Sequence, residues 1–236
     1  MKIKPIIADS LGARSMATFV KLERFNIFID PGVSLAPKRY GLEPHKKEIE
    51  VLNKSWNEIV KLMKKVKIAI ITHYHYDHYN PEAPEIFKDK ILLLKDPEKE
   101  NLSQKRRGSK FIKEVKKYAK EIIIADGQGF KFENVKIKFS EPVFHGTNKK
   151  LGYVIEVFIK EGKDSFLFTS DVEGPSVEEQ VEFILKNKAK IIYVDGPLSY
   201  MLGYRYSYEA LEKSNENLIR ICKKVKPDKI IIDHHF

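Results

Sequence analysis

A chain of 236 residues can bury one large α/β core, and no Gly/Ser-rich or Pro-rich linker divides it, so residues 1–236 are read as a single domain. Its formal charge of +10 comes mostly from lysines interleaved with glutamates, with little glutamine and much isoleucine. That balance fits the solvated, ion-paired surface of a thermophile protein better than a dedicated nucleic-acid patch. The apolar runs are too short to cross a bilayer, the opening MKIKPIIADS lacks the apolar core of a signal peptide, and the one cysteine, Cys222, excludes an internal disulfide. A reducing cytoplasm and no membrane partner are expected.

In chain order, residues 2–8 and 17–30 read as strands in a hairpin-like arrangement around a loop at 9–15. The last of them ends on Asp30-Pro31-Gly32, an acid before a tight turn. Residues 45–65 place Ile49, Leu52, Trp56, Ile59, Val60 and Met63 on one helical face, for packing. A unit then recurs at 64–75, 116–127, 186–196 and 223–235: a lysine-rich helix end, an apolar strand and a polar terminator. Such units build helix-covered sheets whose ligands gather past the strand carboxyl ends. The terminators His73, Asp126, Asp195 and His234 are therefore expected to share one cleft. Residues 130–141, 150–160 and 163–169 alternate as antiparallel strands, with His145-Gly146 before the second and Ser170-Asp171 after the third. Ser176 and Glu179 have the spacing of a capping box.

The first terminator opens the densest stretch of chemistry, THYHYDHYNP at 72–81. On an extended chain His73 and His75 point the same way and can reach one metal ion. The chain then turns near Asn80-Pro81, so Asp77 and His78 can face a second ion. Imidazole with carboxylate suits zinc, manganese or iron. The competing reading is a histidine-rich surface loop. Against it stand the spacing, the apolar strand behind it, and the fact that of seven histidines only His45 lies outside these blocks.

The order Asp30-Pro31-Gly32, His-x-His-x-Asp-His at 73–78, His145-Gly146, Ser170-Asp171 and a strand ending at His234 resembles the metallo-β-lactamase superfamily over nearly the whole chain. The stretches at 10–18 and 29–34, SLGARSMAT and IDPGVS, look like an archaeal branch described only as predicted metal-dependent hydrolases. The resemblance implies an α/β fold, a four-layer αββα sandwich of two mixed sheets flanked by helices. It also implies a dinuclear site, most simply zinc, with manganese or iron as alternatives. His73, His75 and His145 would hold one ion, Asp77, His78 and His234 the other, and Asp171 would bridge them. Two divalent ions less two carboxylates and a hydroxide leave a positive site that favours an anionic substrate. Asp77 and Asp171 would thus also serve catalysis. Asp30 would support the histidine loop or simply make its turn; Asp195 would hold a ligand histidine in its tautomer or form a turn before Gly196-Pro197. His234 is preferred over His235 as the ligand, and His235 would point away or act as general acid. The chain stops at Phe236, where the fold normally continues. Either the native protein is longer, or a partner chain covers the last strand; a homo-oligomer is compatible with the sequence.

The implied activity is hydrolysis of a phosphodiester or other anionic ester, from a small molecule or a nucleic acid. The stretch from His145 through Gly152-Tyr153 looks like transfer-RNA-processing relatives, yet no long arm for gripping transfer RNA is visible, and the interval from Asp171 to His234 is short for a nucleic-acid clamp domain. A lactone or thioester hydrolase, or an iron-dependent dioxygenase on the same scaffold, are the alternatives. Asn101, Ser103, Gln104, Arg106 and Arg107 either reach phosphates or form a solvated basic helix. Arg14 and Ser15 would overhang the site. The tyrosines at 200–208 would stack on a base or pack their loop onto the domain.

Overall fold

The structure, a computed structural model, describes residues 1–35 and 41–236. Two compact units make it up: Met1–Glu98 with Leu102–Ile124, and Lys99–Asn101 with Ala125–Phe236. In the first, β1 (Lys2–Pro5), β2 (Thr18–Lys21), β3 (Asn26–Ile29), β4 (Ile68–Ile71), β5 (Ile91–Leu94) and β6 (Glu121–Ile124) form one sheet in that order. β1 to β3 run antiparallel and β3 to β6 parallel. The helices α1 (Lys46–Met63) and α2 (Leu102–Val115) bring Ile59, Leu62, Met63, Phe111 and Val115 against Phe28, Ala69, Ile71, Leu92 and Leu94. The other face, with Ile27, Ile29, Ile70 and Leu93, is as fully buried. Burial on both faces is why β4 and β5 read as apolar runs instead of alternating. Each such side chain contributes about 1.5–3 kcal/mol, so β4 gives the histidines a rigid base. His45, outside the motif blocks, has its own task. Its Nδ1 accepts from the Lys47 amide (3.2 Å) and Glu48 accepts from its amide (2.7 Å), capping α1.

The second unit contains β7 (Gly129–Phe132), β8 (Val135–Phe139), β9 (Val143–Phe144), β10 (Tyr153–Val154), β11 (Val157–Glu161), β12 (Asp164–Phe168), β13 (Ile191–Asp195) and β14 (Lys229–Asp233). Its large sheet runs β14-β13-β12-β11-β8-β7, while β9 and β10 pair separately. β12 to β14 are parallel and the rest antiparallel. The helices α3 (Glu178–Asn187) and α4 (Tyr208–Val225) set Val181, Ile184 and Ile221 on Phe158, Leu167, Ile192 and Val194. Among the described residues, then, the chain is a mixed α/β protein with two six-stranded mixed sheets and four α-helices.

Three local readings need correction. The alternation at 130–141 runs through a hairpin turn, where Glu133 takes a φ of 55°. The run at 150–160 breaks because its first part pairs with β9 and its second with β8 and β12. At the break the Ser140 hydroxyl takes the Glu156 amide (2.9 Å) in place of a ladder carbonyl. The helix after Asp171 is not capped by Ser176 and Glu179. Gln180 Oε1 accepts from the Val177 amide (3.0 Å) at its start instead. β5 went unread because a short 3-10 turn at Pro84–Phe87, not a helix end, precedes it. No helix among the described residues is long and apolar enough to cross a membrane.

Candidate metal centre

In the first unit, β4 ends at Ile71 and hands the chain to the histidine loop. Two-residue periodicity sends the Tyr74 ring into the core beside Phe111, while His73 and His75 stay together, ring centroids 4.8 Å apart. The His78 amide donates to the His75 carbonyl (3.0 Å), and this turn brings the His78 ring to 4.0 Å from that of His73. Three imidazoles thus converge within six residues.

Asp30 holds this arrangement. Its Oδ1 accepts from the Thr72 amide (2.8 Å), and its Oδ2 accepts from the Thr72 hydroxyl (2.6 Å) and lies 2.8 Å from His78 Nδ1. A carboxylate on Nδ1 fixes the tautomer in which Nε2 offers its lone pair. Burial pushes the Asp30 carboxyl up from its ordinary value, and the facing His78 opposes that rise. Gly32 completes the seat: a Cβ there would lie 2.2 Å from the Tyr79 amide nitrogen. The loop packs on bare backbone.

Gln104 was expected to reach substrate, but it is buried and its Oε1 accepts from the Tyr74 amide (2.8 Å). Ser15 is likewise buried, donating to the Gly32 carbonyl (2.6 Å) and accepting from the Ala17 amide (2.8 Å). Both build the loop's foundation and do not overhang it. Arg14 donates from Nε to Asp77 Oδ2 (2.9 Å), so its partner is an expected ligand. Ser103 is exposed on the first turn of α2, and the Arg107 guanidinium stands 4.5 Å from the centre of the Tyr76 ring.

The second unit gathers its polar residues from four places. Asp171 follows β12, with Oδ2 at 3.2 Å from His234 Nε2 and 3.4 Å from His145 Nε2. All three residues are buried. His235 Nδ1 lies 3.0 Å from both Asp195 oxygens, and its amide donates to Asp195 Oδ1 (3.1 Å). The Glu173 amide donates to Asp195 Oδ2 (2.7 Å). Burial pushes the Asp195 carboxyl well above its ordinary value; His234 opposes the rise and the Asp171 charge adds to it. Asp195 therefore does more than form a turn, and the histidine it grips is His235.

Sequence reasoning missed Glu173, whose Oε1 lies 3.8 Å from His145 Nδ1. A Cβ on Gly146 would come within 2.4 Å of its Oε2. The His145-Gly146 pair thus makes room for this carboxylate, and the alternate acids of Asp171-Val172-Glu173 were the available signal. Asp30, Ser170, Glu173 and His234 also hold positive φ angles of 50°, 59°, 50° and 77°. Outside glycine such angles are sparse and gather where function fixes the backbone.

No family model matches the chain. Over 237 residues it is 55% identical to a UPF0282 protein of Korarchaeum cryptofilum, covering all of this chain and 78% of that one. Among solved structures, an isothiocyanate hydrolase from Delia radicum gut bacteria matches with a TM-score of 0.63 at 15% identity, over 94% of this chain and 83% of the other. The metallo-β-lactamase fold protein YhfI of Bacillus subtilis matches with a TM-score of 0.56 at 16% identity, over 94% and 78%. At such identities the likeness is one of fold, and the fold is that of the metallo-β-lactamases.

Proposed function

We propose that this chain, which belongs to the UPF0282 family, is a metal-dependent hydrolase of a phosphodiester or another anionic ester. The observation that carries the reading is the buried pairing of carboxylate with imidazole in each unit: Asp30 on His78 in one, Asp171 on His145 and His234 in the other. A buried histidine oriented by a carboxylate, as His78 is by Asp30, and histidines gathered round a shared carboxylate, as His145 and His234 are at Asp171, are what a metal site requires of its donors. In this reading the first unit offers His73, His75, Asp77 and His78 as metal donors, and the second offers His145, Asp171 and His234. An all-nitrogen-and-oxygen donor set suits zinc, and also manganese or iron. Bound there, divalent ions would supply Lewis acidity and a nucleophile at neutral pH.

The chain's own residues then divide the remaining work. Asp195 accepts from His235 Nδ1 and favours its imidazolium form, which carries an Nε2 proton as well, the arrangement of a general acid that delivers a proton to the leaving oxygen. Arg14 steadies the Asp77 carboxylate. The exposed Cys222, alone in the sequence, fits a reducing cytoplasm. The test uses protein purified without added metal, assayed on bis(p-nitrophenyl) phosphate, a lactone and a thioester. Phosphodiester hydrolysis should be lost on chelation and restored by zinc or manganese. Turnover indifferent to chelator, or no turnover of any ester by metal-loaded protein, would overturn the reading.

A further inference from the structure

A cavity of ≈ 240 Å³ lies in the first unit between the histidine loop and α2, lined by Tyr76, Tyr79, Arg106, Arg107, Lys110 and Phe111 among others. Tyr76 stands between two expected ligands, His75 and Asp77, each about 3.8 Å away along the chain. The cavity therefore opens beside the histidine loop. Its composition is unusual for a helix flank. Tyr76 is 46% exposed, an aromatic ring left largely open to solvent. Arg107 covers part of it, its guanidinium 4.5 Å from the ring centre.

The cations are not committed elsewhere. Among the described residues, neither Arg106, Arg107 nor Lys110 forms an ion pair with a carboxylate. Two nearby lysines do: Lys105 in the first turn of α2 on Glu98, and Lys117 just past its end on Glu114. Two acids, Glu82 and Glu114, also line the cavity, but Glu114 is neutralised by Lys117 at 2.5 Å. What remains is a net positive recess with an aromatic platform. Guanidinium forks match phosphate oxygens, and tyrosine faces stack on bases without regard to sequence. Full ligand pockets usually measure about 300–1,000 Å³, so this recess suits one unit of a larger ligand.

We propose that this recess is a binding subsite for a nucleotide unit, free or within a single strand, with the phosphate on Arg106, Arg107 and Lys110 and the base on Tyr76. The proposal deepens the hydrolase reading by naming the substrate class, and it rests on that reading for what happens to the nucleotide afterwards. Phosphate recognition and base stacking are separable contributions here. Losing the ring should weaken a nucleotide and spare a bare anion, whereas losing the guanidinium should weaken both.

Calorimetric titration of the protein as purified, with adenosine monophosphate, inorganic phosphate and a single-stranded hexanucleotide, tests this. Arg107→Gln should weaken the mononucleotide by roughly tenfold or more and weaken phosphate as well. Tyr76→Leu should weaken the mononucleotide roughly tenfold, leave phosphate within about twofold, and be rescued by Tyr76→Phe. Thermal melting confirms that each variant is folded. A hexanucleotide that binds much more tightly than the mononucleotide assigns the source as a strand, and equal affinity assigns free nucleotide; either supports the subsite. Mononucleotide affinity unchanged in both Arg107→Gln and Tyr76→Leu, or no saturable binding to the unaltered protein, would overturn it. Metal content and bis(p-nitrophenyl) phosphate turnover of the same samples report separately on the hydrolase reading, so either idea can fail alone.

Discussion

The two units each solve the same problem, holding an imidazole with a buried aspartate, but from different materials. In the first, Asp30 grips Thr72 and His78 beside a loop whose donors lie within six residues of one another. In the second, Asp195 grips the Glu173 and His235 amides and the His235 ring, while Asp171, His145 and His234 arrive from separate strand ends. A contiguous loop can be anchored at one point. A discontinuous site needs several fixed backbones, which is why three of the four strained non-glycine positions near the site, Ser170, Glu173 and His234, belong to the second unit. The aspartates also differ in what they hold. Asp30 supports an expected metal ligand, whereas Asp195 supports a residue outside the assigned donor set.

The harshest test of this division is Asp171→Ala, which removes the carboxylate that lies against both His145 and His234. Turnover of any active ester should fall by roughly a thousandfold or more, with melting temperature little changed, since the hydrophobic core is untouched. Undiminished turnover would dissolve the assignment. His235→Gln should come next. Loss of a general acid costs about 10²–10⁴-fold in kcat for a substrate with a poor leaving group, and far less for p-nitrophenyl esters, whose leaving group needs no proton. Equal losses on both substrates would show that His235 is not the acid.

The aspartates themselves sharpen the contrast. Asp30→Asn should lower metal affinity by about 10–100-fold, measured by competition with a chelating dye. Asp195→Asn should leave that affinity nearly unchanged and lower kcat instead. The reverse pattern would mean that the second unit's aspartate serves the metal and the first does not.

Legibility in the sequence followed the same line. The histidine loop could be read outright, because a two-residue period behind a buried strand leaves little choice of direction for His73, His75 and Tyr74. β4, β6, β13 and β14 were visible through the lysine-rich helix ends before them, whereas β5 follows a short turn instead. Gln104 and Ser15 were misread because a polar residue near a site looks alike whether it faces ligand or backbone. Only the Tyr74 amide and the Gly32 carbonyl, unseen in sequence, decide between the two. Glu173 was missed since its contact with His145 depends on the absent side chain of Gly146.

A third buried carboxylate gives the comparison a control. Glu156 is fully buried, and neither of its carboxylate oxygens has a hydrogen-bond partner among the described residues. Burial alone raises its pKa well above the ordinary value. The folded state therefore keeps the proton to higher pH than the unfolded chain does. Stability from this group is complete below the unfolded pKa and declines as pH rises toward the folded one. Glu156→Gln should flatten that decline, raising the melting temperature at pH 8–9, roughly, relative to the unaltered protein while matching it near pH 4. Parallel curves across that range would contradict the sign. The smallest effect is expected from Gln104→Ala, which strands the Tyr74 amide and should cost about 1–3 kcal/mol in denaturant unfolding.

The central claim is that these buried histidines and aspartates bind divalent metal ions, and counting the ions tests it most directly. Native mass spectrometry with elemental analysis, on protein expressed with zinc and manganese available, should find two divalent ions per chain, and fewer in Asp171→Ala. A folded protein that binds no divalent ion, or that binds its full complement equally well without Asp171, would contradict it.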